Sequence, residues 1–336
     1  MDDVLAPRRR RRRWRWLSAA LLVPPLLTLG LPGAQAQTAE TPDPTVIAAG
    51  DISMCQTDGD EETAKLIDSM PGTVLPLGDL AYQDGSKADF DNCYAPTWGR
   101  FKDRSRPVLG NHEYKQKGAV PYFDYWGEAA GDRATGYYSF DIGSWHVVAL
   151  NSNCSDVGGC SRGSPMEQWL RQDLAAHPSR CILAMWHHPR FYSPSRQPGS
   201  RLEATDKKMQ AFWVALYEAG ADVVLNGHRH MYERFARQSP DANADPAGIR
   251  QFVVGTGGGP FDRFEGPVAA NSEIRKAEAY GVLQLTLRAE GYDWRFVPVA
   301  GGEFTDSGSD TCGPPAAPPS SPPPSSPPPS SPPPGP

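Results

Sequence analysis

The sequence predicts an α/β fold, a mixture of strands and helices in one domain, and three observations carry that expectation. Residues 45–49 and 73–77 are short apolar runs bracketing a helix-like stretch with Ala64, Leu66 and Ile67 on one face, which is a β-α-β unit. Residues 136–151 hold two strand patterns around Gly143-Ser144, a hairpin that opens a second sheet. The C-terminal part alternates apolar and polar residues, as at Leu283, Leu285 and Leu287 against Gln284, Thr286 and Arg288, and so builds further sheet.

Taken in order, the N-terminus comes first. Six consecutive arginines, the apolar run 17–31 and Ala34-Gln35-Ala36 follow the basic, hydrophobic and small-residue order of an export signal, so residues 1–36 are expected to be removed. The run is short and carries Pro24-Pro25, which makes a spanning helix the minor reading. The signal takes seven arginines and two aspartates with it, moving the formal charge from −6 for the whole chain to about −11. Neither a nucleic-acid partner nor, after cleavage, membrane contact is therefore expected. Six cysteines in an exported chain read as disulfides. Cys154 with Cys160 closes a short Gly-containing loop; Cys55–Cys93 and Cys181–Cys312 follow only by elimination.

The catalytic domain is expected over residues 37–312. Its apolar runs end in polar residues again and again. The first ends in Gly50-Asp51 and the second in Gly78-Asp79, with Tyr82 three residues on; 106–109 ends in Gly110-Asn111-His112-Glu113. Ser164-Pro165-Met166-Glu167 has the N-cap, first-turn proline and N3 glutamate of a capping box and starts a structural helix. The run 181–186 ends in His187-His188-Pro189. A helix over about 206–219 leads to 221–225, which ends in Asn226-Gly227-His228-Arg229-His230. Strand ends of α/β sheets share one edge, so these groups are expected to meet there. Asp51, Asp79, Tyr82, Asn111, His187, His228 and His230 supply carboxylate, phenol, amide and imidazole donors enough for two metal ions that share Asp79. His146 and His177 read instead as packing or surface histidines. Residues 313–336 are Pro/Ser-rich with a repeated Ser-Ser-Pro-Pro-Pro unit, an extended tail that reads either as a wall-spanning spacer or as a linker to a further module.

The ordered series Asp, Gly-Asp-x-x-Tyr, Gly-Asn-His-Glu, His and Gly-His-x-His resembles the metallophosphoesterase superfamily, and Tyr82 with His230-Met231-Tyr232-Glu233-Arg234 resembles its purple acid phosphatases. The resemblance spans residues 45–312. It implies a four-layer αββα sandwich of two mixed sheets flanked by helices, with the dimetal site at the strand ends. It implies Fe(III) at Asp51, Asp79, Tyr82 and His230, and a divalent Fe, Zn or Mn at Asp79, Asn111, His187 and His228. It gives His112 the role of protonating the leaving oxygen, directly or through Glu113, while hydroxide held by the cations attacks phosphorus. His188 joins the catalytic set, either as part of the pocket wall or as the residue that orients the loop, and Arg190 and Arg229 are candidate phosphate contacts. The eight residues expected between the signal and Thr45 are too few for the separate N-terminal β-sandwich domain of the plant-type pattern, and no histidine lies between Phe191 and Arg201. The expected activity is hydrolysis of small phosphate monoesters by a secreted or wall-associated enzyme, with Arg196 and Arg201 reading the alcohol loosely. A phosphodiesterase or nucleotide hydrolase on the same site, and a metal-holding binding protein, are the alternatives.

Overall fold

A computed structural model describes residues 42–196 and 207–313. The expected signal at 1–36, Arg201 and the Pro/Ser tail beyond Gly313 lie outside them. From the N-terminus the elements are β1 (Thr45–Ala49), α1 (Gly59–Asp68), β2 (Thr73–Pro76), α2 (Lys87–Asp89), α3 (Val120–Trp126), β3 (Tyr138–Ile142), β4 (Trp145–Ala149) and α4 (Pro165–Ala176). They continue with β5 (Cys181–Met185), β6 (Ser195–Arg196), α5 (Gln210–Glu218), β7 (Val223–Asn226), β8 (Tyr232–Phe235), β9 (Arg250–Val254) and β10 (Arg263–Phe264). The last are β11 (Ser272–Lys276), β12 (Gly281–Arg288), β13 (Gly291–Pro298) and β14 (Ser307–Thr311).

Two mixed sheets result. The five-stranded sheet runs β14-β13-β12-β1-β2, with β1 and β2 parallel and β1 and β12 antiparallel. The seven-stranded sheet runs β11-β8-β9-β7-β5-β4-β3, and β4, β5, β7 and β9 are mutually parallel. Period-2 side-chain alternation divides the buried strands between two cores. Val147, Leu183, Met185, Val223, Leu225 and Phe252 join Val46, Ala48, Leu283 and Leu285 in the core between the sheets. Their neighbours Val148, Ile182, Ala184, Val224 and Val253 pack under α4 and α5, against Leu170, Phe212 and Trp213. With helices on the outer faces this is the four-layer αββα sandwich.

Three details differ from the sequence reading. The run 106–109 forms no strand; beside β2 there are single bridges, Val74 to Ser105 and Leu77 to Val108, with Arg106 and Val108 donating N–H to the Val74 and Pro76 carbonyls, and the rung between them is missing because Pro76 has no N–H. At α4 the Ser164 hydroxyl accepts the Glu167 N–H, but the Glu167 carboxylate accepts from Gly163 rather than from the cap residue. The helix expected over 206–219 starts only at Gln210. All six cysteines pair, as Cys55–Cys93, Cys154–Cys160 and Cys181–Cys312. Among the described residues no helix is long and apolar enough to cross a membrane.

Candidate metal centre

Strand ends deliver the polar groups to one edge. The turn after β1 brings Asp51, the turn after β2 brings Asp79, the end of β5 brings His187 and the end of β7 brings His228 and His230. Asp51, Asp79 and His228 hold positive φ values of 58°, 50° and 68°, a region that side-chain-bearing residues seldom occupy and that turns each backbone sharply away from its strand. The turns interlock. Asp51, Ile52 and Ser53 donate N–H to the carbonyls of Gly78, Asp79 and Leu80, so the first two ligand loops run side by side.

The donors converge in two overlapping groups. In the first, the Tyr82 hydroxyl lies 3.0 Å from Asp51 Oδ1, 2.9 Å from His230 Nε2 and 3.3 Å from Asp79 Oδ2. His230 Nε2 is 3.2 Å from Asp51 Oδ1. In the second, ligand atoms of Asp79, His187 and His228 all lie within 4.8 Å of one another, with His187 Nε2 at 3.2 Å from Asp79 Oδ2. Asp79 belongs to both.

The protons in this cluster are too few for its acceptors. His187 Nδ1 faces the Leu77 carbonyl at 2.8 Å, and His230 Nδ1 faces the Pro260 carbonyl at 2.5 Å. A carbonyl only accepts, so each Nδ1 carries the hydrogen, and each Nε2 faces a carboxylate with which only an added proton or a cation can pair it. Among the described residues Asn111 Oδ1 is likewise buried with no hydrogen-bond partner. Such a set of acceptors needs either added protons or cations. Burial would push the His187 pKa down, but the Asp79 charge beside it raises it to about 9. Burial would raise the Asp79 carboxyl, yet His187 holds it well below the usual range. Burial and the Asp51 and Asp79 charges push the Tyr82 phenol well above its ordinary value. The mixture of carboxylate, phenol, amide and imidazole is a donor set for hard and borderline metal cations.

Close backbone approach makes room for this crowding. A Cβ on Gly78 would lie 2.6 Å from His187 Nδ1. The segment 255–259, entering from the end of β9, was not singled out from the sequence. A Cβ at Gly255 would lie 2.7 Å from Asp51 Oδ2 and one at Gly259 2.9 Å from His230 Cε1, while Gly259 donates its N–H to the Asp51 carbonyl. The available signal was a run of four glycines in five residues directly after a strand.

The remaining expected residues fall in different places. His112 stands at the rim: its ring meets Tyr82 edge-on at 4.5 Å, its Nδ1 is 2.5 Å from the Gln83 carbonyl and its Nε2 is 3.8 Å from Asp79 Oδ2. Glu113 is fully buried, and its carboxylate accepts N–H groups from Asp79, Leu80 and Gly110 at 3.0, 2.8 and 2.7 Å. Burial and the neighbouring Asp79 charge raise its pKa to about 7. His188 leans on His228 with ring centroids 4.3 Å apart, and Ser152 Oγ sits 2.7 Å from its Nδ1. Burial and the adjacent histidines hold its pKa well below the usual value.

The two arginines both engage protein groups. Arg190 stacks on Phe191 and donates to Gln210 Oε1 at 3.0 Å, beside a cavity lined by Phe191 and Tyr192 rather than in the ligand cluster. Arg229 is buried behind His228, donates to the Ser195 carbonyl and lies 3.5 Å from Asp262. Both brace loops. Arg196 pairs with Glu265 at 2.8 Å. His146 is clamped between Asp141 and Asp173, at 2.9 Å from each, and stacks on His177.

Comparison with known proteins follows the same lines. A calcineurin-like phosphoesterase family model matches residues 44–232. Purple acid phosphatase 15 of Arabidopsis thaliana is 27% identical over 252 residues, covering 63% of this chain and 44% of the relative. Purple acid phosphatase PPD1 from seeds of yellow lupin, Lupinus luteus, superposes with a TM-score of 0.60 at 17% identity, covering 79% of this chain and 53% of that one. GAP50, described as the anchor in the inner membrane complex of Plasmodium, gives a TM-score of 0.59 at 14% identity, covering 79% and 88%. These two structural likenesses concern the fold. The chain spans about half the length of the plant relatives it matches.

Proposed function

The chain belongs to the calcineurin-like phosphoesterase family, and from that premise we propose that it is a purple acid phosphatase-like enzyme that hydrolyses phosphate monoesters with two metal ions. The observation that carries this reading is the convergence of Asp51, Tyr82, His187, His228 and His230 around Asp79, with more acceptors than protons. Asp51, Asp79, Tyr82 and His230 would hold Fe(III); Asp79, Asn111, His187 and His228 would hold a divalent Fe, Zn or Mn. Bound cations supply the positive charge that makes water nucleophilic and offsets the charge gathering on the phosphoryl oxygens.

The chain's own groups divide the other tasks. The carbonyls of Leu77 and Pro260 fix the tautomers of His187 and His230 and aim each Nε2 inward. Glu113 ties the loops of Asp79 and Gly110 together, and with both oxygens on backbone amides it positions rather than carries a proton. His112, part-exposed at the rim, is the acid that protonates the departing alkoxide. His188 walls the side where that alcohol leaves. Three disulfides support export, and association with a cell wall through the Pro/Ser tail belongs to the same proposal.

Metal analysis of the purified protein, combined with a panel of phosphate mono- and diesters, tests it. His112→Ala should lose most of its rate on alkyl phosphates and less on activated aryl phosphates, which need little protonation. Higher kcat/KM on bis-aryl phosphates or cyclic nucleotides than on any monoester would make it a diesterase; two bound metals with no turnover would make it a binding protein.

A further inference from the structure

One more strand end reaches the ligand edge, and it was not singled out from the sequence. The loop after β4 carries Asn151-Ser152-Asn153, and because β4 runs parallel to β5 and β5 to β7, it arrives beside His187 and His228. Asn151 ties this loop down: its Nδ2 donates to the Tyr114 hydroxyl at 2.8 Å and the Thr135 carbonyl at 3.1 Å, and its Oδ1 accepts the Asn153 N–H at 3.1 Å. Ser152 is fully buried, and its Oγ meets His188 twice, at 3.0 Å from the backbone N and at 2.7 Å from Nδ1.

These two contacts assign the hydrogens. A backbone amide only donates, so Ser152 Oγ accepts from the His188 N–H. The hydroxyl has one hydrogen of its own, and among the described residues its one acceptor is His188 Nδ1. A buried hydroxyl hydrogen left without an acceptor is costly, so Nδ1 takes it and the ring carries its own hydrogen on Nε2. This is the opposite tautomer from His187 and His230, whose Nδ1 hydrogens face carbonyls. The two nitrogens of an imidazole point nearly away from each other, so the Nε2–H is turned from Ser152 toward the part-exposed side of the ring. There His188 and Asn111 line a cavity of about 480 Å³. The ring also packs on His228 and His187, with centroids 4.3 and 5.0 Å apart, so this donor stands at the border of the second ligand group.

We propose that Ser152 is a positioning residue that locks His188 in the Nε2–H form, and that His188 thereby donates a hydrogen bond to an oxygen of the substrate's phosphate instead of binding a metal ion. The inference rests on the phosphatase reading and deepens it. An imidazole nitrogen that bears hydrogen has no lone pair for a cation, so a third histidine can stand beside His187 and His228 without joining their ligand set. A donor fixed before the phosphate arrives needs no reorganisation during the reaction. A hydrogen bond to a charged oxygen is worth roughly tenfold in binding.

Nitrogen-15 spectra of the zinc-loaded, histidine-labelled protein test the lock, because ring nitrogens with and without hydrogen resonate far apart; the His188 signals are those lost in His188→Gln. Hydrogen should sit on Nε2 in the wild type and in Ser152→Thr, which keeps the hydroxyl, and the tautomer should become mixed or reversed in Ser152→Ala. A wild-type His188 with its hydrogen on Nδ1 overturns the proposal, whether or not Ser152→Ala folds. Calorimetric binding of inorganic phosphate to the same zinc-loaded proteins tests the donor. Affinity should fall roughly tenfold in His188→Phe and by less in Ser152→Ala, with Ser152→Thr near the wild type. Equal affinity in wild type and His188→Phe, or no phosphate binding to the wild type, overturns the donor role. The expected tautomer and phosphate affinities in a protein that hydrolyses no phosphate ester would support the donor while counting against the phosphatase reading.

Discussion

Glu113 accepts the backbone N–H of Asp79 at 3.0 Å across 34 residues of sequence. The same carboxylate takes the N–H groups of Leu80 and Gly110, so one buried side chain welds the loop carrying the shared carboxylate to the loop carrying Asn111 and His112. Glu113→Ala leaves three buried donors without an acceptor and should destabilise the fold by roughly 3–5 kcal/mol. Metal content should fall with it. Thermal melting and metal analysis read both, with Glu113→Gln expected in between. A variant of unchanged stability and metal content that has lost activity would return Glu113 to the role of proton carrier.

Asp79 is the group on which both clusters close, within 3.2 Å of His187 and 3.3 Å of Tyr82. Asp79→Asn or Asp79→Ala should therefore lower metal content and activity together, the latter by about a hundredfold or more. His177→Ala, on the far cluster with His146 and Asp173, should change neither. Full activity with unchanged metal in Asp79→Ala would remove the shared-ligand assignment.

Burial and two carboxylates hold the Tyr82 phenol protonated unless a cation displaces the proton. Iron-loaded protein should then be coloured through phenolate-to-iron charge transfer, and Tyr82→Phe should bleach it while leaving the melting temperature within a few degrees. Visible spectroscopy decides the point. A colourless, iron-free protein fully active with zinc or manganese would place it with non-purple relatives.

Asp222 offers a pH test remote from the metals. It is buried beneath the Cys181–Cys312 disulfide, and burial raises its pKa from 3.8 to about 6 against the N–H groups of Gly313 and Ile182 and the charge of Arg237. A raised carboxyl pKa means the folded state binds the proton more tightly than the unfolded state. Stability from this group is thus greatest below 3.8 and is lost as pH rises to about 6. Comparing urea unfolding of wild type and Asp222→Asn, the difference should move in favour of the wild type by up to roughly 3 kcal/mol between pH 7 and pH 4. A difference that does not move with pH would mean that Asp222 stays ionised throughout.

The sequence by itself determined the α/β class, the β-α-β start, the hairpin and the identities of the residues that converge. Those are local matters: apolar periodicity sets the strand, and the polar residue that follows it must emerge at the strand's end, as Asp51, Asp79, His187 and His228 do. Contacts between segments distant in the chain were decided only by the tertiary structure. It put Glu113 on three amides, brought residues 255–259 against Asp51 and His230, set Arg190 against Gln210 and Arg229 against Ser195, and gave 105–108 only two bridges to 74–77. The physical reason is that a side chain's charge and hydrogen-bonding capacity are written in the sequence, whereas its partner is whatever the packed layers place within about 3 Å of it.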